Sequence, residues 1–176
     1  MESTAAILLR KTRFSETSLV LTWLTQDQGK LKTMAKGARR PKSKFAGVVD
    51  LFFRCEIQFQ RSRQSEIHAL TEVSLLDPHE NLRFDYARLA VAGYFVELLD
   101  LVTEPEHSAA DLYDLLLRAL SYLNRTGADR RALLHFESEL ARLLGIRRED
   151  VTPAVSIGRA YHRLPPERAE LLTKLK

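Results

Sequence analysis

A single cysteine, Cys55, is all that this chain of 176 residues contains. No intramolecular disulfide can form, and a cysteine-based zinc site would have to be shared between chains or completed by histidine. Such usage suits a reducing compartment, and a cytoplasmic location is the expectation. The seven glycines are scattered and build neither a P-loop nor a dinucleotide-binding loop. Long apolar runs are missing too. The most apolar stretch, 86–102, is interrupted by Arg88, Glu97 and Asp100, as suits a buried helix rather than a membrane span. The amino terminus has no basic segment ahead of its short apolar run, unlike a secretory signal. His68, His79, His107, His135 and His162 show no ligand-like spacing. Carboxylate pairs such as Glu104/Glu106 and Glu137/Glu139 come without a cleft signal. Cys55 falls on the inward parity of its strand, the position of an inert thiol. Neither catalysis, nor a metal, nor an organic cofactor is expected.

What the chain does have is an uneven distribution of charge. The net charge is +4. Residues 1–80 hold thirteen Lys/Arg against nine Asp/Glu, whereas residues 81–176 hold fourteen of each. The surplus lies wholly in the first half, a cue for a polyanionic partner.

The two halves also differ in period. Residues 4–10, 17–25, 30–36, 49–59 and 66–75 read as strands, rich in β-branched and aromatic residues with turn signals between them. In the fourth, Val49, Leu51, Phe53, Cys55, Ile57 and Phe59 take one face and Asp50, Arg54, Glu56 and Gln58 the other, with Phe52 the apolar exception. Five short strands in about eighty residues suit a small closed barrel of OB type. Beyond Asp77-Pro78 the period becomes helical. Residues 82–101 are apolar almost all round, as in the central helix of a bundle. Ser108 and Asp111 have capping-box spacing ahead of a helix whose stripe is Leu112, Leu115, Leu116, Ala119 and Leu123, stopped by Gly127. Asp129 is placed to cap a third helix carrying Leu133, Phe136, Leu140 and Leu144, closed by Gly145. Residues 151–176 read as a short carboxy-terminal segment with one helix ending in Leu171, Leu172 and Leu175. The expectation is an α+β chain, mainly β and then α: an OB-fold barrel over 1–77, then a helical domain over 78–176.

Between residues 29 and 47 stand seven cations and no acid: Lys30, Lys32, Lys36, Arg39, Arg40, Lys42 and Lys44. Side chains on a strand repeat every two residues, so Lys30, Lys32 and Lys36 share a face at roughly 6.8 Å intervals, close to the spacing of phosphates on an extended single strand. The other four sit on the loop that follows. In the predicted fold the loop between strands 1 and 2 carries Lys11, Arg13 and Phe14, and the loop between strands 4 and 5 carries Arg61 and Arg63. Those loops, with the face of strands 2 and 3, form the usual oligonucleotide surface of an OB-fold. A basic run alone usually marks a solvated loop; three clusters converging on one face point to nucleic acid. Phe14, Phe45 and Phe52 are candidates for stacking on bases, whereas Trp23 and Phe59 read as core. Two other readings compete: a general RNA or nucleic-acid chaperone on the same fold, and an adaptor whose basic face docks an acidic protein.

Several segments resemble one family. Phe14-Ser-Glu-Thr-Ser-Leu-Val-Leu, Gly29-Lys-Leu and Lys36-Gly-Ala-Arg-Arg-Pro-Lys-Ser are similar to the amino-terminal domain of RecO recombination mediators, as is Leu70-Thr-Glu-Val-Ser-Leu-Leu-Asp. The likeness continues through Glu97-Leu-Leu-Asp, Leu112-Tyr-Asp-Leu-Leu-Leu-Arg-Ala-Leu and Leu134-His-Phe-Glu, and covers roughly residues 5 to 146. The resemblance implies an OB-fold joined to a helical domain, binding of single- and double-stranded DNA, strand annealing, and a cytoplasmic, nucleoid-associated role without a membrane. It also implies partnership with RecR and with single-stranded DNA-binding protein, in loading RecA. By motif match it assigns DNA contact to Lys36, Arg39, Arg40, Lys42 and Lys44, and extends to Lys11 and Arg13. Many members carry a four-cysteine zinc module after the position of Gly145. This sequence has none there, so zinc is not expected.

Overall fold

A computed structural model describes residues 1–176. Five strands, β1 (Glu2–Arg13), β2 (Leu19–Thr25), β3 (Gly29–Ala35), β4 (Arg54–Gln60) and β5 (Ile67–Asp77), close into a barrel in the order β1-β2-β3-β5-β4. All neighbours are antiparallel except β3 and β5, which run parallel through Lys32↔Ile67 and Met34↔Ala69. This is the OB-type barrel that the strand pattern predicts. Closure removes the free edges that a five-stranded sheet would otherwise expose.

The barrel is filled from the inward parity of each strand: Ala6 and Leu8, Leu21 and Trp23, Leu31 and Ala35, Cys55, Ile57 and Phe59, and Leu70. Trp23 is fully buried, and its indole N–H donates to Thr33 Oγ1 at 2.9 Å, so its one polar atom is satisfied. Burial pushes the Cys55 thiol up to about 12, since a thiolate would lose its hydration there.

The alternation from Val49 overstates β4. Residues 36–53 are a chain of turns, and pairing begins only at Arg54. Phe52 sits at φ 68°, left-handed backbone that breaks any strand. Its N–H donates to Leu8 O, and its carbonyl accepts from His79 Nδ1 at 2.8 Å. Phe45 and Phe53, from the same segment, plug the barrel core.

The helices are α1 (Tyr86–Val102), α2 (Ala110–Thr126), α3 (Arg130–Leu143), α4 (Pro153–Tyr161) and α5 (Arg168–Lys174), with a 3-10 turn at Glu80–Phe84 before α1. Asp129 caps α3 by accepting from Ala132 N at 2.6 Å. Gly127 and Gly145 take positive φ just past α2 and α3, as helix stops do. Where the sequence pattern gives one helix over 151–176, the structure has two. The first starts at a Thr152 cap, with Pro153 at its first turn. No helix is long and apolar enough to cross a membrane.

The chain forms two compact units, Met1–His79 with Thr103–Tyr113, and Glu80–Val102 with Asp114–Lys176. Residues 103–113 thus belong with the barrel, although in sequence they are the connection after α1 and the first turn of α2. From residue 146 onward there is no cysteine, and Cys55 is buried in the barrel core. The side chains therefore do not fit a four-cysteine zinc site.

Candidate nucleic-acid interface

The register of β1, β2 and β3 decides which cations share a surface. Lys32 pairs with Thr22, which pairs with Arg10; Met34 pairs with Val20, which pairs with Thr12. Lys30, Lys32 and Met34 alternate with the buried Gly29, Leu31, Thr33 and Ala35. They therefore stand on the outer face, as the two-residue period demands. Lys36 continues this row, exposed, at the end of β3. From Lys30 to Lys36 the row is roughly 20 Å long at the rise of a strand.

A bulge in β1 between Leu8 and Arg10 changes what this face receives. Plain alternation from Leu8 would send Lys11 and Arg13 outward. One extra residue reverses the parity, so Arg10 and Thr12 join the outer face instead. The sequence pattern ends this strand at residue 10 and assigns the cations after it to the loop, so it does not single out Arg10. Nor do Lys11 and Arg13 lie in the β1–β2 loop: both are in β1, which is longer than predicted. Lys11 Nζ pairs with Asp50 at 2.5 Å, and Arg13 Nη2 pairs with Glu16 at 2.8 Å.

The turns after β3 bring the remaining cations to the same end of the barrel as the β1–β2 loop. Arg39 joins the two loops. Its backbone N–H donates to Thr17 O at 3.0 Å, while Nη1 donates to the carbonyls of Glu16 and Ser15 at 2.8 and 3.3 Å. Lys44 Nζ donates to Thr71 O at 2.6 Å and lies 5.2 Å from the centre of the Phe45 ring. Lys32, Lys36, Arg40 and Lys42 make no ion pair. Of the three aromatics considered for stacking, only Phe14 is displayed, at 63% exposure; Phe45 and Phe52 are buried.

Arg61 does not join this group. It sits by the amino-terminal end of β1 and the β2–β3 turn, at the other end of β3 from Lys36. Its Nε and Nη2 bind Glu2 at 2.9 and 3.2 Å, Nη1 binds Glu106 at 2.7 Å, and Nη2 also meets Gln28 Oε1 at 2.7 Å. The bonds from Arg61 hold the Glu2 carboxyl below its ordinary range and raise the guanidinium in turn. Arg63, in the same loop, is exposed and has no such partner. Two of the three expected clusters therefore meet; the third is separate, with Arg61 neutralised by Glu2 and Glu106 and Arg63 left exposed.

The helical unit carries a groove of about 690 Å³. Phe95, Leu115 and Phe136 form its apolar part, with the Phe95 and Phe136 rings stacked at 3.9 Å. Arg118, Arg125, Arg131 and His135 supply basic groups around it. No group of His, Cys, Asp and Glu side chains large enough to hold a metal ion occurs.

Comparison with known proteins agrees with this architecture. The family described as "Recombination protein O N terminal" matches residues 1–79, and "Recombination protein O C terminal" matches residues 83–148. A DNA repair protein RecO from Rhodopirellula baltica is 36% identical over 140 residues, covering 80% of this chain and 52% of its own length. The corresponding protein of Salinibacter ruber is 34% identical over 144 residues, with 81% and 55% covered. That of Desulforudis audaxviator is 34% identical over 160 residues, with 86% and 64% covered. The chain thus spans about half the length of several curated relatives it matches. With an OB-type barrel, a helical unit and both family matches in the expected order, this chain belongs to the RecO family of DNA repair proteins.

Proposed function

We propose that this chain binds single- and double-stranded DNA along the outer face of β3 and the turns that follow it, and promotes annealing of complementary strands. It acts in the cytoplasm at the nucleoid as a non-enzymatic mediator of RecA loading, with RecR and single-stranded DNA-binding protein as partners. One observation carries the reading. Lys32, Lys36, Arg40 and Lys42 come from an acid-free stretch and make no ion pair within the chain, so their charge is available to an external anion.

The mechanism is charge neutralisation. Two strands repel through their phosphates, and a cationic surface removes part of that repulsion while leaving base edges free to pair. Phe14 stands exposed in the loop that Arg39 joins to the cationic turns; a ring there can stack on any base. The groove of the helical unit supports the partner assignment. An apolar floor with arginines around it suits an acidic segment with an apolar anchor, and the family resemblance implies that contact with single-stranded DNA-binding protein lies in the helical part.

Annealing of complementary oligonucleotides, bare and coated with single-stranded DNA-binding protein, tests both parts. With about four phosphates contacted, log K for single strands should fall against log salt with a slope near −3. Arg40→Ala with Lys42→Ala should flatten that slope by about 1.4 and slow annealing. Weak binding of bare DNA without annealing would refute the proposal and return the adaptor reading; tighter binding of RNA in competition would favour the chaperone reading.

A further inference from the structure

The Thr103–Tyr113 segment is attached to the barrel by contacts of several kinds. Glu106 N–H donates to Lys30 O at 3.1 Å, and Pro105 bridges Lys30 in parallel. Parallel pairing of β3 with β5 starts only at Lys32, so the segment occupies the place beside Lys30 that β5 leaves empty. Gly29 permits the approach: a Cβ there would lie 1.8 Å from His107 O. At the far end of the segment, the Tyr113 hydroxyl accepts from Arg54 Nε at 3.2 Å.

Glu106 is the working residue. Its backbone is at φ 56°, a left-handed conformation that disfavours a non-glycine residue and persists only where surrounding contacts enforce it. In that conformation one carboxylate oxygen takes Arg61 Nη1 at 2.7 Å and the other lies 3.4 Å from His68 Nε2. His68 is buried, its Nδ1 accepts from Ser62 N–H, and its Nε2 has no hydrogen-bond partner. The β4–β5 loop that holds Arg61 is part of the ligand surface in OB-folds. In this chain the anion already bound there is the protein's own.

Building on the DNA-binding reading, we infer that the 103–113 segment is an autoinhibitory strap: Glu106, with Glu2, occupies Arg61 as a resident carboxylate and keeps the β4–β5 end of the barrel out of the interface. A polyanion reaching past Lys32 must displace Glu106 to gain that contact. The interface therefore has an open part at the Lys36–Lys42 end and a latched part at Arg61, and longer single strands engage both.

A mutant cycle tests the latch. Glu2→Gln with Glu106→Gln should steepen the salt slope for single strands by about 0.7, one additional phosphate, and enlarge the site size. Arg61→Ala should leave the wild-type slope on short oligonucleotides unchanged and should cancel the steepening in the double variant. Amide exchange at Glu106, bonded to Lys30 O, should be slow in the free protein and faster when a long single strand is bound. If the wild type binds with a slope near −3 and the double variant matches it in slope and site size, the latch is wrong and the DNA reading stands. If neither protein shows salt-dependent binding, the DNA reading falls and takes the latch with it.

Discussion

Removing the arginine from a buried ion pair should do more damage to this chain than removing the pair. Glu137, on α3, is 1% exposed. Arg168, in the first turn of α5, donates to its two oxygens at 2.6 and 2.9 Å, and the Tyr94 hydroxyl of α1 donates to Oε1 at 2.5 Å. Burial, and then the Glu137 charge, push the Tyr94 hydroxyl well above its ordinary value, so it remains a donor. Arg168→Ala leaves a desolvated carboxylate with that one donor. The expected cost is about 3–5 kcal/mol, the usual penalty for orphaning a buried charge. At 2–4 °C per kcal/mol for a chain of this size, the helical transition should fall by about 6–20 °C. Replacing Glu137 and Arg168 together with leucines removes charge and partner at once and should cost far less. Helical circular dichroism followed through a denaturant titration measures both variants. A loss below about 1 kcal/mol in Arg168→Ala would show that water reaches Glu137, and the argument from burial would fail.

Two further outcomes follow from the barrel. Arg39→Ala should lower stability by about 1 kcal/mol, because it deletes the two side-chain bonds between the loops and leaves only the backbone bond to Thr17, and should make residues 14–18 more open to proteases. Arg40→Ala should leave the melting temperature unchanged and take about 0.7 from the salt slope. Equal effects of the two variants in both assays would contradict this division. At alkaline pH, Cys55 should set a falling limb of stability. The raised folded value means that the unfolded chain releases its proton first, so stability is intact below the ordinary thiol value of about 9 and is lost progressively towards about 12. At pH 10.5 the loss relative to neutral pH is about 2 kcal/mol. Cys55→Ala should remove this part of the pH dependence in urea titrations, and an unaltered limb would place its origin elsewhere.

Strand number, order of elements and the outward row on β3 are readable from period alone, since one residue in two must face a closed core. The bulge in β1 is not, because an inserted residue changes parity without changing composition; Lys11 and Arg10 exchange places with no mark in the sequence. Phe52 carries a faint mark. It is the apolar residue on the polar side of an otherwise strict alternation, and the structure places it at positive φ, where the strand has not yet begun. The α4 helix also had a readable start, a Thr152 cap followed by Pro153, but Gly158 and a length of nine residues keep its period short. Arg39 and Arg40 are indistinguishable as letters; a tight turn points one guanidinium at backbone carbonyls and leaves the other exposed. The docking of 103–113 is a tertiary fact, and its Glu-Pro-Glu composition reads simply as a loop.

The partners of the cations also separate two quantities that a charge count merges. Lys11, Arg13 and Arg61 face carboxylates, so their fields are cancelled at short range. Arg39 and Lys44 donate to carbonyls, which satisfies their hydrogen bonds without neutralising their charge. A carbonyl-bound guanidinium still attracts a phosphate within a Debye length, about 8–10 Å in ordinary buffers. Six residues, Lys32, Lys36, Arg39, Arg40, Lys42 and Lys44, thus contribute to steering, while the four without such commitments carry the expected phosphate contacts. Association rate should respond to all six, and the equilibrium salt slope to four. Lys44→Gln is the variant that distinguishes them: it should slow association at low salt while the slope stays near −3, and a parallel fall in both would mean that Lys44 leaves Thr71 to bind a phosphate.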